Sequence, residues 1–277
     1  MVYILFAIYN RKALTLECLR CISALKGPAF RVVIFDDGST DGSGDAIRAE
    51  FPDVQVLRGP GDWWWTKSMN AGLRHILERA QDGDYVMTLN DDTEFGPDFL
   101  QTLMDVSVSQ DRAVVGSVAR NFFERNHVED SGYRIDWQKY LFNKVPYAES
   151  PPWIEVDTLA CRGTLIPIEL FRRLGLFDQT TLPHYAADME FFIRAKRAGY
   201  RLLMSRQAAV YHKDRAGLGG QPPRPAWSKF KDLFSIRSSN NLRCHLTLIL
   251  KYSPSASAKL LNSARLLKRS LQTVMTS

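Results

Sequence analysis

The stretch Tyr85-Val-Met-Thr-Leu-Asn-Asp-Asp-Thr93 decides the expected fold of this chain. Its first five residues form a short apolar run, which is typical of a buried β-strand. The run ends in an asparagine and two adjacent carboxylates. In open α/β sheets, ligands bind at the carboxyl ends of the strands, and oxygen-rich clusters suit divalent cations that carry phosphates. The structural alternative is an acidic turn in which Thr93 or Asp98 caps the following helix.

Short apolar runs and amphipathic segments alternate on both sides of this stretch. Strands are predicted at 2–9, 31–35, 54–57 and 113–118, and helices at 13–25, 45–51, 66–80 and 97–108. Such alternation predicts βαβ units with right-handed crossovers, and therefore an α/β fold with a mostly parallel central sheet flanked by helices. The residues that follow the strands, near Tyr9, Asp36 and Asn90, should then share one edge of the sheet.

The pattern changes in the second half of the chain. Aromatic and charged residues mix from 121 to 152, which predicts a long excursion or a small antiparallel flap. Further strands are expected within 156–166 and at 201–204 and 208–212, and helices at 167–174 and 187–198. The segment 217–225 is rich in Gly and Pro and predicts a mobile loop, followed by helices at 227–237, 240–252 and 255–275. We therefore expect a main domain at 1–216, with halves at about 1–118 and 119–216, and a helical appendage at 217–277.

Composition places the chain among ordinary globular proteins, with 277 residues, 45% hydrophobic and 24% charged. The sequence has no run of 18 apolar residues, and its N-terminus lacks a basic region and a cleavage site. We therefore expect neither a transmembrane helix nor a signal peptide. Cys18 and Cys21 have no second pair at zinc spacing, so they are interpreted as reduced thiols, buried on the core side of a helix, in a cytoplasmic protein.

Charge is distributed unevenly along the chain. Residues 213–277 hold twelve Lys or Arg and two Asp or Glu, although the whole chain carries a net charge of only +6. A mildly acidic body with a basic tail predicts an anionic partner such as a membrane surface or a lipid phosphate. No nucleic-acid-binding motif is recognised, so no nucleic-acid partner is expected. The last helix places Leu260, Ala264, Leu267 and Leu271 on one stripe, which either packs on the domain or lies on a membrane.

Several polar segments occur in a characteristic order along the chain. They are Ile8-Tyr-Asn-Arg11, Asp36-Asp-Gly-Ser-Thr-Asp-Gly42, Asn90-Asp-Asp92, Leu176-Phe-Asp178, Ala187-Asp-Met-Glu190 and Val210-Tyr-His212. Over roughly residues 2–212, this set resembles the inverting family-2 glycosyltransferases of the GT-A fold. The segment Gly61–Gly72, with its three tryptophans, also resembles a W-W-T-x-x-x-N-x-G pattern of a subgroup that includes bacterial rhamnosyltransferases. The resemblance implies that the first half holds a nucleotide-sugar donor and the second half a glycan or lipid-linked acceptor.

The resemblance also implies a set of nucleotide-binding residues. A pyrimidine base offers an N3–H donor and a flat face, so a carboxylate and an aromatic ring suit it. Either Asp36 or Asp37 could supply that carboxylate, and the tryptophans could wall the pocket or belong to the core. The implied set is Tyr9, Asn10, Arg11, Asp36, Asp37, Trp64, Lys67, Asn70, Asn90 and Asp91.

A metal site is implied at the end of the strand quoted first. Asn90-Asp91-Asp92 matches the D-x-D motif of the family, with Asn90 in place of the first Asp, so one charge is lost. Asp92 and His212 are the expected ligands of Mn²⁺ or Mg²⁺, and imidazole favours Mn²⁺. The alternative for His212 is an ordinary surface residue.

Asp188 matches the catalytic base of the family. Inverting transfer needs one ionised carboxylate beside the acceptor hydroxyl, and a helix N-terminus favours the anion. Ala187 stands where the family often has Glu. The alternative for Asp188 is an ordinary acid in the first turn of a helix.

The resemblance therefore implies inverting, metal-dependent transfer from a UDP- or dTDP-sugar to a hydroxyl of a glycan or lipid-linked acceptor, in bacterial surface polysaccharide synthesis. The protein is expected in the cytoplasm, peripheral at the inner face of the membrane. One alternative is a sugar-phosphate nucleotidyltransferase, although Tyr9-Asn-Arg-Lys12 lacks the glycines expected in such an enzyme. The other is a catalytically weak nucleotide-sugar-binding homologue, for which Asn90 and Ala187 argue.

Overall fold

The computed structural model describes residues 1–213, 225–236 and 238–275. The strands are β1 (Val2–Ile8), β2 (Phe30–Asp36), β3 (Gln55–Arg58), β4 (Tyr85–Thr88), β5 (Thr93–Glu94), β6 (Val114–Asn121), β7 (Val128–Asp130), β8 (Tyr133–Asp136), β9 (Leu141–Lys144), β10 (Trp153–Glu155), β11 (Thr164–Pro167) and β12 (Leu202–His212). The helices are α1 (Lys12–Ser23), α2 (Ser43–Glu50), α3 (Trp64–Leu77), α4 (Phe99–Ser109), α5 (Ile168–Leu174), α6 (Ala187–Arg197), α7 (Ala226–Asp232), α8 (Leu242–Tyr252) and α9 (Ala256–Met275). The loop predicted at 217–225 lies outside the described residues except for Pro225. Of the helix predicted at 227–237, Arg237 also lies outside them, and α7 ends earlier than predicted, at Asp232.

The described residues form one ten-stranded sheet, whose main path runs β10-β12-β6-β11-β4-β1-β2-β3. The neighbours β4, β1, β2 and β3 are mutually parallel, and β12 is parallel to β6. The strands β10 and β11 run antiparallel to their neighbours. A separate antiparallel pair, β8 and β9, forms the flap. The α/β fold and the small antiparallel flap are thus confirmed.

Both faces of the central strands are buried, which explains why their sequences are continuously apolar. On β1, Ile4 and Phe6 face the layer of α1 and α4, whereas Tyr3 and Leu5 face α3. The α3 helix lies very close to the sheet at Gly72, where a Cβ atom would stand 2.4 Å from Leu5 Cδ1. Glycine at that position therefore permits the close approach of helix and strand.

Three expectations need correction. The two strands predicted at 201–204 and 208–212 are one strand, β12, whose register shifts between Ser205 and Ala209. A bulge of this kind admits polar residues without ending the strand. Thr93 belongs to β5, and the Asp98 side chain makes no capping hydrogen bond, so neither residue caps α4 with its side chain. Cys18 is a buried free thiol as predicted, whereas Cys21 is only half-buried.

The C-terminal helices pack on the second half of the main domain. Leu248 and Ile249 of α8 join a core cluster with Tyr140 of the flap and Ile193 of α6. The α9 helix packs through Ala258, Asn262 and Leu266, and the Asn262 amide donates to the Trp137 carbonyl at 2.9 Å. The stripe predicted to pack or to meet a membrane therefore faces away from the domain. Among the described residues, no helix is long and apolar enough to span a bilayer.

Candidate active site

A cavity of about 1380 Å³ opens at the carboxyl ends of β1 and β4. Its walls also include the end of β12, the start of α6, the flap and α8. Nine of the residues singled out from the sequence line it: Tyr9, Arg11, Asp37, Trp64, Asn90, Asp91, Asp92, Asp188 and His212. Segments far apart in the sequence thus meet at one edge of the sheet, as its topology requires.

Four residues of the expected nucleotide-binding set do not line the cavity. The Asn70 amide donates to the Phe177 carbonyl at 2.9 Å and accepts from the Phe177 N–H at 3.0 Å, so it supports a buried loop. Asp36 accepts from the Ser39 N–H at 2.8 Å. Asn10 and Lys67 contact neighbouring protein groups. The Asn10 side chain accepts from the Thr40 N–H, and the Lys67 ammonium lies 4.2 Å from the Trp63 ring centroid.

Asp37 organises the tryptophan segment at the cavity wall. Its carboxylate accepts backbone hydrogen bonds from Gly61 at 3.1 Å, Trp63 at 2.8 Å and Trp64 at 3.2 Å. The chain passes so close here that a Cβ atom on Gly38 would lie 2.8 Å from the Gly61 nitrogen. Of the two candidate aspartates, Asp37 is therefore the one beside the cavity, where it fixes the turn that precedes α3.

The three tryptophans have different surroundings. Trp63 stacks on Phe35 at 5.4 Å, and Trp65 packs against Phe177 of the core while touching the cavity. Trp64 lines the cavity with a left-handed φ of 58°. Such a conformation is costly for a bulky residue and is found where surrounding structure enforces it, often at functional sites.

The acidic segment that follows β4 contacts an arginine and a histidine side chain. Arg11 Nη2 lies 2.7 Å from Asp92 Oδ2, and Arg11 Nη1 lies 3.3 Å from Asp91 Oδ1. His212 Nε2 lies 3.3 Å from the same Asp92 oxygen. Burial alone would raise the pKa of Asp92, but the hydrogen bonds and charges of His212 and Arg11 outweigh it and hold this pKa below its usual range. Burial raises the pKa of Asp91 to about 7 in spite of Arg11.

Asp92 and His212 carry ligand atoms of the kind that a divalent cation needs. In the part of the chain that the structure describes, Asp92 Oδ1 is buried and has no hydrogen-bond partner. No group of three or more His, Cys, Asp or Glu side chains arranged for a metal was found among those residues. Catalytic Mg²⁺ and similar ions are commonly held by one or two carboxylates, with substrate phosphates and water as further ligands. Asp92 and His212 fit that kind of site.

Asp188 occupies the first turn of α6 and faces the same cavity. One carboxylate oxygen accepts from the Cys161 N–H at 3.2 Å, and the other accepts from the Met189 N–H at 2.8 Å. Burial raises the pKa of Asp188 although these backbone bonds oppose it. Ala186, just before the helix, has a φ of 64°. The backbone therefore turns sharply at the start of α6, where Asp188 faces the cavity.

Sequence reasoning missed Arg162, which also lines the cavity. Its guanidinium lies 3.5 Å from His212 Nδ1 and within 3.5 to 3.7 Å of the carboxylates of Asp130 and Glu129. Glu129 in turn lies 3.2 Å from His212 Nδ1 and so orients the imidazole. Glu129 and Asp130 belong to β7 and Arg162 to the loop before β11, where no periodic pattern or motif marked them.

Comparison with known proteins identifies the family. The model of Glycosyl transferase family 2 matches residues 3–165, more than half of the chain. N-acetylglucosaminyl-diphospho-decaprenol L-rhamnosyltransferases from two strains of Mycobacterium tuberculosis are 28% identical over 217 residues, which is 69% of this chain and 69% of each relative. This likeness supports the rhamnosyltransferase-like subgroup.

Solved structures agree on the fold. GalNAc-T7, crystallised with UDP, GalNAc and Mn²⁺, superposes with a TM-score of 0.63 at 16% identity, covering 84% of this chain and 48% of that one. The mannosyltransferase PcManGT from Pyrobaculum calidifontis, in complex with GDP-Man and Mn²⁺, gives 0.61 at 18% identity over 99% of this chain and 72% of that one. The chain therefore belongs to glycosyl transferase family 2 and is a glycosyltransferase with a GT-A-type fold.

Proposed function

We propose that this enzyme transfers a sugar, with inversion, from a pyrimidine-diphosphate sugar to a hydroxyl group of a glycan or lipid-linked acceptor. The observation that carries the proposal is the sharing of one cavity by two unlike carboxylates. Asp92 is paired with cations, as expected beside a diphosphate, whereas Asp188 is held by backbone N–H groups. The first half of the domain would bind the donor and the second half the acceptor.

In the proposed reaction, Asp188 accepts the proton of the acceptor hydroxyl. The hydroxyl oxygen then forms a bond to the anomeric carbon while the bond from that carbon to the diphosphate breaks on the opposite face. The electron pair of the broken bond leaves with the nucleoside diphosphate. A raised pKa suits Asp188 to this role, because a more basic carboxylate takes a proton more readily.

Asp92 and His212 would hold a divalent cation, Mn²⁺ or Mg²⁺. When bound, such an ion would neutralise charge on the departing diphosphate. The presence of Mn²⁺ in GalNAc-T7 and in PcManGT supports this assignment. Arg11, whose guanidinium contacts both Asp91 and Asp92, would bring a second positive charge to the same place.

The names of the mycobacterial relatives support a finer assignment. They specify an L-rhamnosyltransferase and an N-acetylglucosaminyl-diphospho-decaprenol, which is a lipid-linked diphosphate. By analogy, we propose a UDP- or dTDP-linked hexose or deoxyhexose as donor, and a precursor of the cell-envelope polysaccharide as acceptor. Such an acceptor would place the enzyme at the cytoplasmic face of the membrane.

A panel of nucleotide sugars tests this function through thermal unfolding. A ligand that binds only the folded state raises Tm, and a concentration of 100 times Kd contributes about 2.7 kcal/mol. We expect UDP- or dTDP-sugars to raise Tm, more strongly with Mn²⁺ present, and GDP-sugars to have a smaller effect. Release of pyrophosphate from a nucleoside triphosphate and a sugar phosphate would instead establish the nucleotidyltransferase alternative.

A further inference from the structure

The α9 helix presents an apolar stripe to solvent. The exposed fractions are 73% for Leu260, 49% for Leu267 and 57% for Leu271, and Ala264 lies on the same stripe. The opposite side of the helix packs on the domain through Ala258, Asn262 and Leu266. An amphipathic helix on a globular domain normally buries its apolar face. Here the stripe of large apolar residues is left outside.

Positive charges flank this stripe. With a rotation of about 100° per residue, the four stripe positions fall within an arc of roughly 60°. Lys268 lies about 70° to one side of its centre, and Lys259 about 110° to the other side. The sequence contains no Asp or Glu from Ala256 onward. Lysines at the edges of an apolar stripe can extend their ammonium groups to lipid phosphates while their aliphatic stems lie along the apolar boundary.

The neighbouring α7 helix and the residues just after it add exposed aromatic side chains. Trp227 is 63% exposed, Phe230 50% and Phe234 65%, and two lysines are interspersed with them. The α7 helix contacts α9. Tryptophan is enriched where proteins meet the membrane–water interface, because its ring is both apolar and polar. The same part of the appendage therefore combines exposed apolar side chains with positive charge.

We propose that the outer stripe of α9 lies in the surface of an anionic phospholipid membrane. The charge pattern selects this occupant: a second copy of the helix would bring lysines against lysines, whereas acidic headgroups complement them. The preceding helix, α8, lines the cavity through Cys244 and Leu248, so the membrane contact belongs to the same appendage as one cavity wall. The inference rests on the proposed function only where it connects membrane contact with a lipid-linked acceptor.

Flotation of the full chain with lipid vesicles tests the proposal without measuring sugar transfer. Vesicles would contain either phosphatidylcholine alone or phosphatidylcholine with phosphatidylglycerol. We expect binding to the anionic vesicles, weakened by salt because the electrostatic part is screened. The triple variant Leu260→Gln, Leu267→Gln, Leu271→Gln should lose at least about tenfold in vesicle affinity, since three side chains no longer bury apolar area.

Two control variants make the result specific. Val108→Gln, on α4, and Leu250→Gln, on α8, also replace exposed apolar residues, of 62% and 56% exposure, outside the stripe. Both should float as the unchanged protein does. Lys259→Gln with Lys268→Gln should reduce the preference for anionic vesicles.

Unchanged flotation of the triple variant would overturn the proposal. A shift of that variant from dimer to monomer in light scattering, with unchanged flotation, would also overturn it and would identify a self-association surface. The Tm increase caused by a nucleotide sugar is read on the same samples. It should be the same in the triple variant, so a failure of the proposed function is seen separately from a failure of membrane binding.

Discussion

Asp92 and Asp188 line the same cavity, yet their surroundings differ in kind. Asp92 lies in the turn between β4 and β5 and contacts two cationic or ionisable groups, Arg11 at 2.7 Å and His212 at 3.3 Å. Asp188 begins a helix, and its carboxylate accepts hydrogen bonds from the backbone N–H groups of Cys161 and Met189. Burial favours the neutral form of both carboxylates, but only at Asp92 is it outweighed.

This difference separates two chemical roles. A carboxylate whose pKa is depressed remains ionised and offers a fixed negative charge, which suits a cation that carries a diphosphate. A carboxylate whose pKa is raised is a better proton acceptor. Where environments push the pKa values of two titratable groups apart, the groups can be assigned to different steps. We therefore propose charge placement for Asp92 and proton transfer for Asp188.

The largest expected effect comes from Asp188→Asn. Asparagine keeps the shape of the side chain but cannot accept the hydroxyl proton, and general-base catalysis contributes about 10²- to 10⁴-fold. We expect kcat to fall by about 10³-fold, with little change in the affinity for the donor. The checks are steady-state transfer kinetics and the Tm shift produced by the nucleotide sugar.

Asp45→Asn serves as the matched control, because Asp45 also lies in the first turn of a helix but is exposed and pairs with Arg48. Its kinetics should equal those of the unchanged enzyme. A near-normal kcat in Asp188→Asn would show that Asp188 is not the general base, and the two carboxylates would then not differ in role as proposed.

A smaller effect, and a different one, is expected from Asp92→Asn. The substitution removes the charge that faces Arg11 and His212, so divalent cation and diphosphate should bind more weakly, by roughly 10- to 100-fold. Titration calorimetry of Mn²⁺ in the presence of nucleoside diphosphate measures this loss. The matched variant is Asp130→Asn, which removes a carboxylate that also lines the cavity and lies beside Arg162. If Asp130→Asn weakens Mn²⁺ binding as much as Asp92→Asn does, the cation site is not centred on Asp92.

Much of this contrast was visible in the sequence before the fold was known. The apolar run before Asp91 and the helix pattern after Asp188 placed both carboxylates at the ends of predicted elements, because strand and helix periods are local properties. Their expected roles came from the resemblance to the family. Their opposite pKa shifts were not predictable. Arg11 is 81 residues from Asp92 in the sequence, and His212 is farther still, so only the assembled sheet brings them together.

Other failures have the same origin. Arg162 and Glu129 lie in segments without periodicity, and Glu129 comes close to His212 because β7 pairs with β6, the neighbour of β12 in the sheet. Asn70 was placed in the binding set because it belongs to a motif. A motif shows which residue is present, but not whether its side chain faces a ligand or, as here, a buried backbone loop. In the same way, the pattern of α9 gave the leucine stripe but not which side of the helix packs.

The smallest effect is expected from Lys251→Met, which tests how firmly the helix of Asp188 is held by the C-terminal appendage. Lys251 on α8 contacts Glu190 on α6 at 3.2 Å and Asp178 at 2.6 Å. Glu190 is buried and keeps Tyr252 and Arg194 as partners in the variant. We therefore expect the free energy of unfolding to fall by only about 1 kcal/mol. Urea unfolding at neutral pH provides the measurement.

The pH dependence of the same unfolding experiment distinguishes the contact from a general packing effect. Burial opposes the shift, but hydrogen bonds from Lys251 and Thr181 lower the pKa of Asp178 from 3.8 to about 2. Because this pKa is depressed on folding, its stabilisation is present above about pH 4 and is lost as the pH falls toward 2. The unchanged protein should lose more stability than Lys251→Met across this window. The exposed pair Lys26–Asp98 provides the control variant, Lys26→Met, whose acid dependence should match that of the unchanged protein. If Lys251→Met and the unchanged protein lose stability in parallel, the Lys251–Asp178 ion pair does not stabilise the fold, and α6 is held by its remaining contacts, which include the hydrogen bond from Tyr252 to Glu190.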